Sequence, residues 1–279
     1  MIVPSSYNTG SLYCQLVKNE LTSLSVRKIL YNKLMMRLDK FLSLSGQGTR
    51  NEVKLILKKK RVTVASEIVK DGRTQVDKNA TDIAVDGRQV LYQQYFYYML
   101  NKPQGVVSAT KDNLDKTVVE LLKGEDFRED IFPVGRLDKN TTGLLILTND
   151  GQLGHDLTQP KKHVEKEYWA EIDGIVTDET ISKFATGLTL KNGEKVKPAE
   201  LLVEQVEQGQ CPTQSGSRSI IRIVIHEGKF HQVKRMFEAV DMYVLELKRL
   251  RMGDLPLDKS LELGAYRPLT KEEVESLKK

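Results

Sequence analysis

Residues 135–151, Gly-Arg-Leu-Asp-Lys-Asn-Thr-Thr-Gly-Leu-Leu-Ile-Leu-Thr-Asn-Asp-Gly, constrain this chain more than any other stretch. A polar loop there carries Asp138 and runs straight into the apolar strand Leu144 to Leu147, so an acid sits on a stiff support. Arg136, two residues earlier, shares a face with Asp138 if the chain is extended. A neighbouring cation favours a charged carboxylate and attracts phosphate. Taken alone, Gly-Arg-Leu-Asp is weak evidence, because an Asp before a strand is usually a turn former or an N-cap.

With 279 residues and 39% hydrophobic content, the chain can build one large core or two domains, and its composition excludes disorder and collagen-like states. No apolar run approaches the roughly 18 residues that span a bilayer, and the start has no signal-peptide pattern. We therefore expect a soluble, cytoplasmic protein with no membrane partner, acting as a monomer. Cys14 and Cys211 lie far apart without metal-type spacing and read as free thiols. Charge is unevenly divided: 4 basic against 1 acidic residue over 1–35, 12 against 7 over 36–95, and 27 against 30 over 96–279. A small basic module joined to a larger, slightly acidic one is the pattern, and the basic module is the candidate for phosphate contacts.

Residues 1–35 read as a poorly structured extension, with Leu21 to Leu34 only weakly helical, and we expect the physiological start at Met35 or Met36. From Met36 the pattern sharpens. Leu38, Phe41, Leu42 and Leu44 form a helical apolar stripe closed by Gly46-Gln47-Gly48. Thr49-Arg50-Asn51-Glu52 is a capping box opening a second helix, whose apolar side is Val53, Leu55, Ile56 and Leu57 and which runs into Lys58-Lys59-Lys60-Arg61. Val62 to Val64 and Glu67 to Val69 read as short strands, with a turn at Asp71-Gly72.

This segment, residues 36–83, resembles the S4 RNA-binding domain, on Arg37-Leu38-Asp39-Lys40-Phe41-Leu42, Thr49-Arg50 and Arg61-Val62-Thr63-Val64. The resemblance implies RNA contacts from Arg37, Arg50, Lys54, Lys58, Lys59, Lys60 and Arg61. A lysine run at a helix C-terminus can also simply complement the helix dipole, and it is the helix, helix, hairpin order that favours RNA. Gln89 to Tyr95 reads as the joint to a second module, 96–279.

The second module opens on the aromatic strand Phe96 to Leu100, ended by Asn101-Lys102-Pro103-Gln104-Gly105. Further strands are expected at Gly143 to Thr148, Glu167 to Ile172, Glu200 to Gln205 and Ile220 to His226, with helices at Thr117 to Leu122, Asp178 to Gly187 and Gln232 to Val240. The fold class is α+β around a mostly antiparallel sheet.

Two more segments carry chemistry. In Lys166-Glu167-Tyr168-Trp169, alternation puts Lys166 and Tyr168 on one face. A Tyr there suits stacking on a withdrawn nucleobase, although cross-strand packing is its commoner use. In Glu227 to Phe237, Lys229, His231, Lys234 and Arg235 crowd a helix start, where cations oppose the dipole unless a carboxylate or polyanion meets them.

Together with Met99 to Gly105, Thr142-Gly143-Leu144 and Thr148-Asn149-Asp150-Gly151, these segments resemble the Rsu-type pseudouridine synthases from about Met36 to the C-terminus. The resemblance implies isomerisation of uridine to pseudouridine in ribosomal RNA with no metal or organic cofactor. It implies Asp138 as the catalytic aspartate, Tyr168 as the residue stacked on the base, Lys234 as the cation paired with Asp138, and Arg136 and Lys166 as supports beside the flipped nucleotide. Lys234, where many relatives have Arg, offers a point charge rather than a fork. Lys161-Lys162, Lys229, His231, Lys234-Arg235 and Lys248-Arg249-Arg251 are the expected local RNA patches. Val244 to Leu247, Gly264 to Leu269 and Phe230 to Lys234 look most like the small-subunit branch, implying 16S rRNA or an assembling small-subunit particle as partner; a large-subunit target is the neighbouring alternative. Two other classes stay open: a non-catalytic S4-type ribosome-assembly factor, and a glycosidase pairing Asp138 with Asp150. His155, His163, His226 and His231 lack metal-ligand spacing.

Overall fold

The computed structural model describes residues 34–209 and 211–278. Most of the expected extension, the Leu21 to Leu34 piece up to residue 33, and Cys14 lie outside the described residues. The described chain forms two compact units, the first ending at Gln94 and the second beginning at Tyr95.

In the first unit, strand β1 (Met35–Arg37) leads into helices α1 (Leu38–Leu44) and α2 (Arg50–Lys58). Leu38, Phe41 and Leu42 of α1 are wholly buried, the i, i+3, i+4 spacing that makes one helical face. The capping box is present: Glu52 Oε2 accepts the Thr49 N–H at 2.7 Å, and Thr49 Oγ1 accepts the Glu52 N–H at 3.4 Å. Val53 and Leu57, one turn apart, are buried, but Leu55 points away from them and is 55% exposed. It does not belong to the apolar side, because two residues advance a helix by about 200°. Strands β2 (Val62–Val64), β3 (Glu67–Ile68), β5 (Ile83–Val85) and β6 (Arg88–Gln89) form a small sheet in the order β3-β2-β5-β6, while β4 (Gln75–Asp77) pairs with β1.

The second unit is built on a nine-stranded sheet with the main order β11-β12-β10-β13-β9-β7-β15. These strands are β7 (Tyr97–Lys102), β9 (Thr142–Thr148), β10 (Lys166–Asp173), β11 (Glu200–Gln208), β12 (Ser217–Ile225), β13 (Tyr243–Met252) and β15 (Tyr266–Pro268). Short strands β8 (Phe132–Pro133) and β14 (Leu255–Pro256) pair with β9 and β13. Every pairing is antiparallel except β9 with β13, which is parallel. Tyr98, Leu100, Leu145 and Leu147 enter one core, and Met99, Leu144 and Ile146 enter a second on the opposite face. The central strands are therefore covered on both sides, which is why β9 reads as an unbroken apolar run.

Helices α3 (Gly151–Thr158) and α6 (Lys271–Leu277) contribute Leu153, Leu157 and Leu277 to the second core. On the other face, α4 (Asp178–Thr186) and α5 (Gln232–Glu238) contribute Phe184, Val233, Met236 and Phe237. The expected helix at Thr117 to Leu122 is only a single 3₁₀ turn, Val119–Leu121. Six residues carrying two β-branched valines cannot sustain an α-helix without more packing. Among the described residues no helix is long and apolar enough to cross a membrane.

Candidate active site

The parallel joint between β9 and β13 determines where Asp138 stands. Gly143 lies opposite Arg249 with φ +99°, and a Cβ there would come within 2.2 Å of the Arg249 carbonyl oxygen. Only glycine lets the strands approach this closely. The loop entering β9 is then pinned from beneath by Lys102, which has no exposed surface. Its Nζ donates to the carbonyl oxygens of Pro103 (3.0 Å), Asp138 (3.0 Å) and Thr141 (2.9 Å). Burial pushes the Lys102 ammonium down to about 8, against the opposing pull of Asp138. Ser108 Oγ closes the other side, donating to the Leu137 carbonyl at 2.8 Å and accepting its N–H at 3.0 Å.

Held in this way, the Asp138 carboxylate meets two side chains from the start of α5. Lys234 Nζ is 2.8 Å from Oδ2, and His231 Nε2 is 3.4 Å from Oδ1. Lys234 also donates to Asn140 Oδ1 at 2.7 Å, so two acceptors orient its point charge. His231 holds the helix N-cap position in the left-handed region, at φ +48° and ψ 35°, a conformation costing a non-glycine residue about 1 kcal/mol or more. The turn before it is tied by Glu227, whose Oε1 accepts from Gln232 Nε2 and from the Lys197 N–H, both at 2.9 Å.

Strand β10 supplies the facing wall. Its burial alternates, with Lys166, Tyr168 and Ala170 inward, while Glu167 turns out to pair with Arg251 and Arg222. The β10–β13 ladder shifts register between Glu167 and Tyr168, directly beside the tyrosine. Tyr168, Lys166, Arg136 and Asp138 line one cavity of about 130 Å³, together with Arg249 and apolar side chains that include Val233 and Leu247. A wider cleft of about 590 Å³ shares Arg136, Asp138 and His231 and adds the exposed Phe230. Burial, with Arg249 adding to it, pushes the Lys166 ammonium down to about 8. Among the described residues no three His, Cys, Asp or Glu side chains gather as metal ligands would.

Asp138, Arg136, Lys166, Tyr168 and Lys234 are thus brought together. Several expectations fail. Asp150 caps α3, accepting the Leu153 N–H at 3.1 Å and the Tyr97 hydroxyl at 2.7 Å, so it is committed to structure and does not line the cavity with Asp138. Lys229 and Arg235 also reach Glu194, at 3.1 and 2.8 Å, a carboxylate that answers the dipole conflict at α5, while Lys229 still lines the cavity beside Asp138. Lys248-Arg249-Arg251 is not an open basic patch, because Arg249 is 3% exposed and Arg251 binds Glu165 and Glu167.

In the first unit, Arg50, Lys54, Lys58, Lys59 and Lys60 lie exposed on α2 and the turn after it. Arg37 and Arg61 are also exposed, but they pair with Asp39 and Asp86.

Comparison with known proteins gives this geometry a family. The RNA pseudouridylate synthase family model matches residues 96–239, and the S4 domain model matches 36–82. The chain belongs to the RNA pseudouridylate synthases. The synthase is 45% identical over 242 residues to an uncharacterized RNA pseudouridine synthase, YtzG, of Bacillus subtilis, covering 87% of this chain and 98% of that one. It is 42% identical over 245 residues to ribosomal small subunit pseudouridine synthase A of Escherichia coli, covering 87% of this chain and 100% of the relative. A solved pseudouridylate synthase crystal structure aligns with a TM-score of 0.59 at 35% identity, covering 87% of the synthase and 99% of that chain. The first unit is an S4 domain and the second a synthase domain of mixed, mainly antiparallel sheet.

Proposed function

We propose that the synthase isomerises a uridine of small-subunit ribosomal RNA to pseudouridine, with Asp138 as the catalytic carboxylate. The observation carrying this reading is the Lys234–Asp138 pair, 2.8 Å apart, at a cavity that Tyr168 and Arg136 also line. The reaction breaks the C1′–N1 bond, turns the freed uracil and joins C5 to C1′. Asp138 serves it either as the nucleophile at C1′ or as the base that takes the 2′ proton. Lys234, itself oriented by Asn140, and His231 fix the carboxylate's direction, and the Lys102 clamp fixes its backbone. The net change rearranges one nucleotide without adding atoms or electrons, so the reading assigns no cofactor.

Flipping the uridine costs a few kcal/mol of unstacking. Tyr168 offers a ring face against the extruded base, Arg136 a cation near its backbone, and the exposed lysines of α2 bind further phosphates. The small-subunit target is supported by the names of the Escherichia coli and Yersinia pestis relatives, each 42% identical.

The purified protein is incubated with 16S rRNA or with small-subunit particles, and pseudouridine is located by carbodiimide-dependent primer-extension stops. One new stop that is absent with Asp138→Asn is expected. No stop on either substrate, or a stop that persists with the variant, contradicts the proposal.

A further inference from the structure

Arg249 is buried where the proposed reaction would take place, yet its charge has no partner. It stands on β13, in register with Tyr168 of β10 and Gly143 of β9, and lines the cavity that holds Asp138. Nε donates to the Leu144 carbonyl at 2.7 Å. Nη2 is fully buried without an acceptor, and neither Nη nitrogen finds a carboxylate among the described residues. The neighbouring cation, Lys166, spends one Nζ donor on the Val164 carbonyl at 2.7 Å and does not compensate Arg249. Buried donors almost always have partners, and an uncompensated buried guanidinium is costly. In a cleft, such a group marks where a ligand supplies the missing acceptor.

The cavity lining combines charged side chains with the apolar Ile225, Val233, Leu247 and Met252 and the ring of Tyr168, and that apolar part suits the flat base of the flipped nucleotide. Building on the pseudouridine reading, we propose that Arg249 is a catalytic residue whose free Nη donors receive a carbonyl oxygen of the flipped uracil. When the C1′–N1 bond breaks, its electron pair stays with the ring and spreads from N1 onto O2 and O4. Asp138 meanwhile bonds C1′ or holds the 2′ proton. The guanidinium holds the negative charge until C5 attacks C1′, the carboxylate or 2′ proton is returned, the C5 proton leaves and N1 is protonated. Donors aimed at developing charge act most strongly where water is excluded.

The test is a cycle between enzyme and substrate. Wild type, Arg249→Gln and Arg249→Lys are given small-subunit rRNA transcribed with uridine, 2-thiouridine or 4-thiouridine, and the isomerised nucleoside is counted after digestion and chromatography. Sulfur accepts hydrogen bonds weakly, and its effect on the leaving group is common to all three enzymes and cancels. We expect Arg249→Gln to lower kcat about 100-fold with little change in KM. The oxygen-to-sulfur rate ratio at one carbonyl should fall about tenfold between wild type and variant, a coupling that a purely structural arginine would not show. Should Arg249→Gln fail to fold, Arg249→Lys, which keeps the buried cation, carries the comparison, with part of the rate and a reduced ratio expected. Equal ratios in all enzymes at both carbonyls, or wild-type kcat in Arg249→Gln, overturn the proposal. If wild type modifies a different RNA and not this one, the small-subunit target falls and the same cycle is run on the RNA that is modified.

Discussion

At the scale of single residues, the site is one carboxylate held by several unrelated devices. The Asp138–Lys234 pair was legible because each stands in a motif whose local oddity, an acid before a buried strand or a cation at a helix start, asks for a partner. Lys102 and Arg249 were not legible, since a lysine ending a strand and an arginine in a Lys-Arg-Leu-Arg run both read as solvated, and tertiary burial alone reverses that. Replacing Asp138 by Asn should lower kcat by at least about 10³-fold while leaving thermal unfolding within a few degrees of wild type. Retained turnover removes the carboxylate from the mechanism.

Lys166 gives a pH test. Its folded value of about 8 lies below the ordinary 10.5, so between these pH values the unfolded chain holds a proton that the folded chain has released. Stability therefore rises with pH across that window, and the cost of burying the charge is fully present below pH 8. Lys166→Met removes the charge, so its stability relative to wild type should be greater at pH 7 than at pH 9.5 in urea denaturation. A difference that stays constant, or that grows with pH, contradicts this.

At the scale of elements, the strands that alternate or run apolar were readable, and the misses have definite causes. β13 spans Tyr243–Met252 but carries Glu246, Lys248, Arg249 and Arg251, and its ladder with β10 shifts register twice, so no clean period survives. α3, Gly-Gln-Leu-Gly-His-Asp-Leu-Thr, has poor intrinsic propensity, and exists because Asp150 caps it and Leu153 and Leu157 are buried. α6 was detectable from Thr270 and Glu273, a capping box of the same kind as that opening α2.

The element-scale prediction concerns the parallel joint. Gly143→Ala forces a Cβ onto the Arg249 backbone at a positive φ, and should cost at least about 2 kcal/mol and lower activity with it. Wild-type stability in chemical denaturation refutes the close-approach argument. On α2 and the turn after it, replacing Lys58, Lys59 and Lys60 together by Gln should weaken RNA binding and flatten the log affinity against log salt slope by about 2. An unchanged slope means that these side chains do not meet phosphates.

At the scale of the whole molecule, an S4 domain carries exposed lysines and a synthase domain carries the carboxylate. The uneven charge division already separated a basic stretch from an acidic one. It could not show that Lys229, Arg235 and Arg251 of the second module are paired internally with Glu194, Glu165 and Glu167. The most direct measurement is a pseudouridine map of 16S rRNA from cells lacking the gene, complemented with wild type or with Asp138→Asn. We expect one modification to vanish with the gene, return with wild type and stay absent with the variant. A map unchanged by deletion, or restored by the variant, contradicts the central claim.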